Sequence, residues 1–274
     1  MLGMVIINYN DYKMTKRLID NIRNYSVLDK IVIVDNNSND GSYKKLEKLR
    51  GDKIEVIEAK QNKGYAAGLN LGAKYLIKEL GECNIIFSNS DIIINKEEDL
   101  KELNDTINKT IKVVGPTIVE NNKLNRGWRL PTVKDEIKAN LSSKKYQESI
   151  SYPESHYSGD VSYVDVVSGC FFLVDSKALK KVDFFDENTF LYYEENILAA
   201  KLKKLNYKEA INNKVVIIHD HSITIDKNIN NYNKYNILKD SQEYFVKEYL
   251  KANDNEFKKL RRNRKIYTFL KYRR

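Results

Sequence analysis

Ile85-Ile86-Phe87-Ser88-Asn89-Ser90-Asp91 is an apolar run that ends in a small polar turn presenting one carboxylate. In an open α/β sheet, ligands gather just outside the carboxyl ends of the strands. Asp91 is therefore expected where a phosphate-bound metal would be held. Working outward, short apolar runs at Met4–Ile7, Ile31–Val34, Ile54–Ile57, Asn84–Phe87 and Lys112–Gly115 read as strands. Between them, Met14, Leu18, Ile19 and Ile22 fall on one face at helical spacing, as do Leu69, Ala73, Leu76, Ile77 and Leu80. Further helices fit Tyr43–Leu49 and Lys96–Asn108. Strands and helices alternating at such short intervals predict an α/β chain with a mainly parallel, doubly wound central sheet flanked by helices.

Three polar turns lie at the ends of these strands. Asn8-Tyr9-Asn10-Asp11 follows the first, and Asp35-Asn36-Asn37-Ser38-Asn39-Asp40-Gly41-Ser42 follows the second. Gln61-Asn62-Lys63-Gly64-Tyr65-Ala66-Ala67-Gly68-Leu69-Asn70 opens a helix. Gly64 and Gly68 allow the backbone to approach a ligand closely, and the helix start offers free N–H groups to a phosphate. The middle of the chain, Pro116 to Asp160, is less regular and carries Gly127-Trp128-Arg129. Val161–Val167 and Phe171–Val174 read as strands, a helix runs from Phe190 to Leu205, and Val215–Ile218 is a strand ending at His219-Asp220-His221. From about Asp226 the chain is mostly helical.

The 274 residues are enough for one large domain or two intimate halves. Charge is lopsided: Lys251 to Arg274 holds ten Lys or Arg against Asp254 and Glu256, a balance of +8 within a total of +9. The body is thus close to neutral, which argues against nucleic acid as a partner. The two cysteines, Cys83 and Cys170, suggest reduced thiols of a cytoplasmic protein. No apolar run approaches the roughly 20 residues of a membrane span, and Met1 leads almost directly into the first strand.

Taken in order, Ile6-Ile7-Asn8-Tyr9-Asn10, Val34-Asp35-Asn36-Asn37-Ser38, Asn62 to Asn70, Asn89-Ser90-Asp91, Ser168-Gly169-Cys170, Phe190-Leu191-Tyr192-Tyr193-Glu194-Glu195 and the histidines near 220 resemble a family-two glycosyltransferase. The fold implied is GT-A, the nucleotide-diphospho-sugar transferase fold, and the set is similar to the rhamnosyltransferase-like branch. It implies a GT-A domain over 1–225, with a nucleotide-binding half, 1–115, and an acceptor half, 116–225. A helical basic C-terminal extension follows over 226–274.

The resemblance further implies a UDP- or dTDP-sugar donor, Mg²⁺ or Mn²⁺, inversion, and a glycan or lipid-linked acceptor in cell-surface polysaccharide synthesis. Asn8, Tyr9, Asn10, Asp35, Asn37, Asn62, Lys63, Gly64, Asn89 and Ser90 would form the nucleotide pocket. Asn89-Ser90-Asp91 stands where relatives carry Asp-x-Asp, leaving Asp91 as the metal ligand beside His219 or His221. The general base falls at Glu195, with Glu194 organising the acceptor or the helix start; a helix beginning one residue away exchanges these roles. Trp128, Arg129, Gly169, Cys170 and Tyr193 would meet the acceptor.

Plainer alternatives attach to each of these. Asp35 and Asp91 serve equally as helix caps, adjacent acids usually sit on a solvated face, and Trp128 as packing. Cys170 reads as a small buried residue. The competing functions are a sugar-nucleotide pyrophosphorylase and a non-catalytic nucleotide- or glycan-binding module. Phe257, Leu260, Ile266, Tyr267, Phe269 and Leu270 interleave with basic residues, which suits an anionic membrane surface at the inner face of the plasma membrane, or a dimer.

Overall fold

The computed structural model describes residues 1–220 and 230–272, with side chains as far as residue 270. The strand built from the opening stretch, β4 (Asn84–Asn89), pairs in parallel with β1 (Leu2–Asn8). In turn β1 pairs in parallel with β2 (Lys30–Asp35), and β2 with β3 (Ile54–Glu58). These strands are buried on both faces, which is why they read as unbroken apolar runs. Their register aligns the carboxyl ends: Asn8 lies opposite Asp35 and Ile7 opposite Asn89.

Beyond β4 the pairing changes. A two-residue strand β5 (Ile92–Ile93), then β6 (Ile111–Glu120), β7 (Lys123–Asn125), β8 (Val161–Val164), β9 (Phe171–Asp175) and β10 (Lys208–His219) complete a 10-stranded sheet among the described residues. Its order is β3-β2-β1-β4-β9-β6-β10-β5, with β7 on β6 and β8 on β10. Strand β9 runs antiparallel to both neighbours, while β6 and β10 are parallel. The expected mainly parallel sheet is therefore parallel in the first half and mixed overall, since β9 is reached through the irregular middle instead of a helical crossover. Two strand boundaries also differ. The run Val161–Val167 stops as a strand at Val164, with Val166 bridging only Trp128, and β10 starts at Lys208 because Glu209, Asn212 and Asn213 disguise its first half as polar.

Helices α1 (Tyr12–Ile22), α2 (Ser42–Leu46), α3 (Tyr65–Leu80), α4 (Glu97–Thr106), α5 (Val133–Ala139), α6 (Ser143–Ile150), α7 (Ser176–Lys181) and α8 (Glu194–Lys203) follow in order. Leu18, Ile19 and Ile22 of α1, and Leu69, Ala73 and Leu76 of α3, seat the expected faces on the sheet. Two further helices, α9 (Asn231–Glu248) and α10 (Asp254–Tyr272), close the chain. A core formed by Ile137, Tyr193, Ile197, Phe245, Val246 and Leu260 joins α5, α8, α9 and α10. The basic extension is thus folded against α5 and α8. Among the described residues no helix is long and apolar enough to cross a membrane.

Candidate active site

At the aligned strand ends lies a cavity of about 820 Å³. Tyr9, Asn62, Gly64, Asn89, Ser90 and Asp91 line it from the first half, and Trp128, Gly169, Cys170, Glu194, Glu195 and His219 from the second. Asp91 and Glu195, 104 positions apart in sequence, share one space.

The loop before α3 is locked by its own polar groups. Asn62 Oδ1 accepts from Gly64 N at 3.0 Å and from Asn36 Nδ2 at 3.1 Å. Gly64 has φ +103°, and a Cβ there would lie 2.3 Å from the Phe190 carbonyl oxygen. Only glycine tolerates both conditions. Tyr65 N donates to that same carbonyl at 2.8 Å, tying the loop to the segment before α8. The Tyr65 hydroxyl donates to Asn89 Oδ1 at 2.7 Å and to Gly169 O at 3.3 Å.

Several expected nucleotide residues stand behind the wall instead of in it. Asp35 is 0 % exposed. Its carboxylate accepts from Asn8 Nδ2 at 2.6 Å, Ser38 N at 2.9 Å and Ser38 Oγ at 2.7 Å. Asn8 is equally buried and also accepts from Thr15 Oγ1 at 2.7 Å. The pair braces the turn. Asn10 and Asn37 take left-handed conformations, φ 55° and 62°, and spend their side chains on Asn39 N and Ala59 O. Lys63 does not line the cavity. Asn36, one residue beyond Asp35, does line it, and was passed over. The signal was available: successive side chains of an extended segment face opposite ways, so if Asp35 is sealed in the sheet its neighbour is not.

Asp91 Oδ1 lies 3.1 Å from His219 Nε2, on neighbouring β5 and β10 ends. His219 is buried, which by itself disfavours its charge. Hydrogen bonds to Asp91 and Cys170 outweigh this and hold the imidazole up to about 10. Cys170 thus has a histidine beside it in space, although none is near it in sequence. An oxygen and a nitrogen donor at a strand end suit a divalent ion of the Mn²⁺ type. Among the described residues no group of three or more His, Cys, Asp or Glu is placed to hold a metal ion, so further ligands would come from the bound diphosphate and water. His221 lies outside the described residues.

Helix α8 begins at Glu194, preceded by Tyr192 and Tyr193 in left-handed conformations, φ 73° and 71°. Both glutamates reach the cavity despite their helical divergence of about 100°, because the first turn of α8 points straight into it. Burial raises both carboxyls above the ordinary range, and the charge of Glu195 raises Glu194 further. Glu195 lies against Gly169, where a Cβ would sit 3.4 Å from its carboxyl carbon. Trp128 donates Nε1 to Asn196 Oδ1 at 2.9 Å and faces the cavity. Of the residues expected at the acceptor, Tyr193 lines the adjoining cavity described next while its hydroxyl donates to buried Glu136 at 2.7 Å, and Arg129 lines neither cavity and stacks over Tyr152 with its guanidinium 4.4 Å from the ring.

A second cavity of about 690 Å³ adjoins the first. Asn125, Trp128, Tyr192 and Glu195 line both, whereas Glu194 lines only the first. The extension contributes Asn233, Asn236 and Asp240 to the first cavity and Tyr235, Lys239 and Tyr267 to the second.

Comparison with known proteins adds four findings. Residues 4–182 match the model of glycosyl transferase family 2. The low-salt glycan biosynthesis hexosyltransferase Agl10 of Haloferax volcanii is 25% identical over 236 residues, 85% of this chain and 72% of that protein. The UDP-N-acetylglucosamine–dolichyl-phosphate N-acetylglucosaminyltransferase of Methanococcus voltae is 27% identical over 166 residues, 56% of this chain and 61% of that protein. Among solved structures, the mannosyltransferase PcManGT from Pyrobaculum calidifontis in complex with GDP-Man and Mn²⁺ superimposes with a TM-score of 0.60 at 13% identity, over 97% of this chain and 69% of that one.

Proposed function

The chain belongs to glycosyl transferase family 2 and is a glycosyltransferase; from that premise we propose that it transfers a sugar from a UDP- or dTDP-sugar to a glycan or lipid-linked hydroxyl with inversion. Residues 1–115 would serve the donor, and 116–225, together with the extension 226–274, the acceptor. The observation that carries this is the position of Glu195, which lines the cavity holding Asp91 and also the cavity next to it. A base placed at that junction meets an incoming hydroxyl on the side away from the departing diphosphate. Glu194, confined to the donor side, organises the start of α8.

In the reaction Glu195 takes the proton of the acceptor hydroxyl while its oxygen bonds to the anomeric carbon. The bond from that carbon to the diphosphate oxygen breaks, and the nucleoside diphosphate leaves with the electron pair. One displacement on the opposite face inverts the centre. A divalent cation held by Asp91 and His219 would supply positive charge for the departing diphosphate, and holding it requires His219 to give up its proton. Tyr65 orients Asn89, and Asn36 with Asn62 shapes the loop over the nucleotide.

Motif order resembles the rhamnosyltransferase-like branch, whereas the curated relatives are named for hexosyl and N-acetylglucosaminyl transfer. A thermal-shift panel of UDP-, dTDP- and GDP-sugars, with and without Mn²⁺ or Mg²⁺, decides the donor, because a ligand of the folded state raises apparent stability by mass action. Glu195→Gln is expected to keep the donor shift and lose transfer. Retained turnover in that variant moves the base elsewhere.

A further inference from the structure

The second cavity takes no part in the donor binding above, and its wall holds polar groups without a partner among the described residues. Asn140 is 1 % exposed. Its Nδ2 donates to Leu260 O at 3.2 Å, while its Oδ1 is buried with no hydrogen-bond partner among the described residues. Lys239 is 7 % exposed, and among the described residues no carboxylate or other acceptor lies within bonding distance of its ammonium. The ammonium lies 5.7 Å from the centre of the Tyr235 ring. Burial pushes this lysine down to about 8 against the pull of more distant Glu136, and Arg264 adds to the downward push. The other cation of the wall, Arg126, has its charge paired with Glu154 and stacked 5.0 Å over Tyr157, while its Nε is buried with no hydrogen-bond partner among the described residues.

A largely buried lysine whose ammonium opens onto a cavity with no anion beside it is poorly compensated, and such a group is expected where a ligand brings that anion. The rest of the wall suits a sugar. Trp128, Tyr146, Tyr152 and Tyr157 offer flat apolar faces with polar edges, the mixture that fits C–H faces and hydroxyls together. Glu195 stands at the end shared with the donor cavity.

Resting on the transferase reading, we propose that the second cavity is the acceptor subsite and that the acceptor is an acidic glycan or glycan phosphate, its oxyanion held by Lys239, its reactive hydroxyl at Glu195. A uronate carboxylate and a lipid-linked phosphate present the same oxyanion chemistry. Asn140 Oδ1 receives one of the acceptor hydroxyls.

Trp128 is the one tryptophan of the chain and lines both cavities, so its fluorescence reports occupancy without any turnover. Two matched pairs of probes separate the sources: methyl glucuronide against methyl glucoside, and citronellyl phosphate against citronellol. The anionic member of one pair is expected to bind at least about tenfold more tightly than its neutral twin, and the pair that shows the difference names the source. Lys239→Gln should erase that preference and Lys239→Arg keep it, with the nucleotide-sugar thermal shift unchanged in both. Equal binding of the twins, a preference that survives Lys239→Gln, or displacement of the anionic probe by UDP overturns the proposal. A preserved anion preference in a protein that no nucleotide-sugar stabilises overturns the transferase reading instead, and the acceptor role with it.

Discussion

Three buried glutamates show how single residues divide between structure and chemistry. Glu209 accepts from Val167 N at 3.0 Å, and its other oxygen has no partner among the described residues. Burial raises its carboxyl well above the ordinary range. The folded state therefore keeps this proton to higher pH than the unfolded chain does. The associated stability is complete below the unfolded value, about 4.3, and declines as pH rises through the folded one. Glu209→Gln keeps an oxygen for Val167 N and cannot ionise. Its melting temperature should match the wild type in acid and exceed it increasingly towards alkaline pH; a gap that does not grow with pH refutes this. Glu194 and Glu195 are raised in the same direction, with a catalytic consequence. The base must be deprotonated, so the acid limb of kcat/KM should lie above the usual carboxylate range, with activity lost as pH falls through it. A limb at an ordinary carboxylate value would show that the pair is solvated during turnover.

At the scale of elements, the entrance to α8 is the most constrained point of the site. Consecutive left-handed residues at Tyr192 and Tyr193 cost on the order of 1–3 kcal/mol each, and surrounding bonds hold them. Tyr193 and Gln242 both donate to Glu136 Oε2 at 2.7 Å, and Ser241 donates to Leu191 O at 2.8 Å. Tyr193→Phe withdraws one donor from a buried carboxylate, a loss of about 1–3 kcal/mol, read by urea unfolding. Because α8 carries the base, kcat should fall while the donor KM holds; an unchanged kcat would make the network purely structural. None of this could be read from the sequence, since Glu136, Tyr193 and Gln242 meet only after three helices pack. What was legible obeys local rules. Double-sided burial wrote β1, β2 and β4 as apolar runs, and those runs lead to Asp91, Asn62 and Gly64, which line the cavity. The first half of β10 escaped because its polar residues obscure the apolar pattern, and Asp35 misled because a strand-end carboxylate looks the same whether it meets a ligand or caps a turn.

For the whole molecule, the charge asymmetry becomes a matter of orientation. Helix α10 turns Leu260 and Asn263 inward, and pairs Arg261 and Arg264 with Glu243 and Asp240. Lys258, Arg262, Lys265 and Phe269 follow one another at i, i+4, i+7 and i+11, a single stripe of the helix. None of these three cations has an ion pair among the described residues, and Phe269 and Leu270 beside them are 58 % and 71 % exposed. Cations near an anionic leaflet contribute on the order of 1 kcal/mol each, so this stripe suits peripheral attachment to such a surface. Deleting the tail is the wrong test, because Leu260 sits in the core with Phe245 and its loss alone should cost about 2–5 kcal/mol. Reversing Lys258, Arg262 and Lys265 to glutamate leaves that core intact. The triple variant should lose co-sedimentation with anionic vesicles while keeping its melting temperature, and raised salt should release the wild type. Tyr267 lines the second cavity from this same helix. Transfer to a water-soluble acceptor should therefore survive the reversal, and transfer to a vesicle-anchored one should fall; equal loss of both would locate the defect in the catalytic cleft and refute the membrane face.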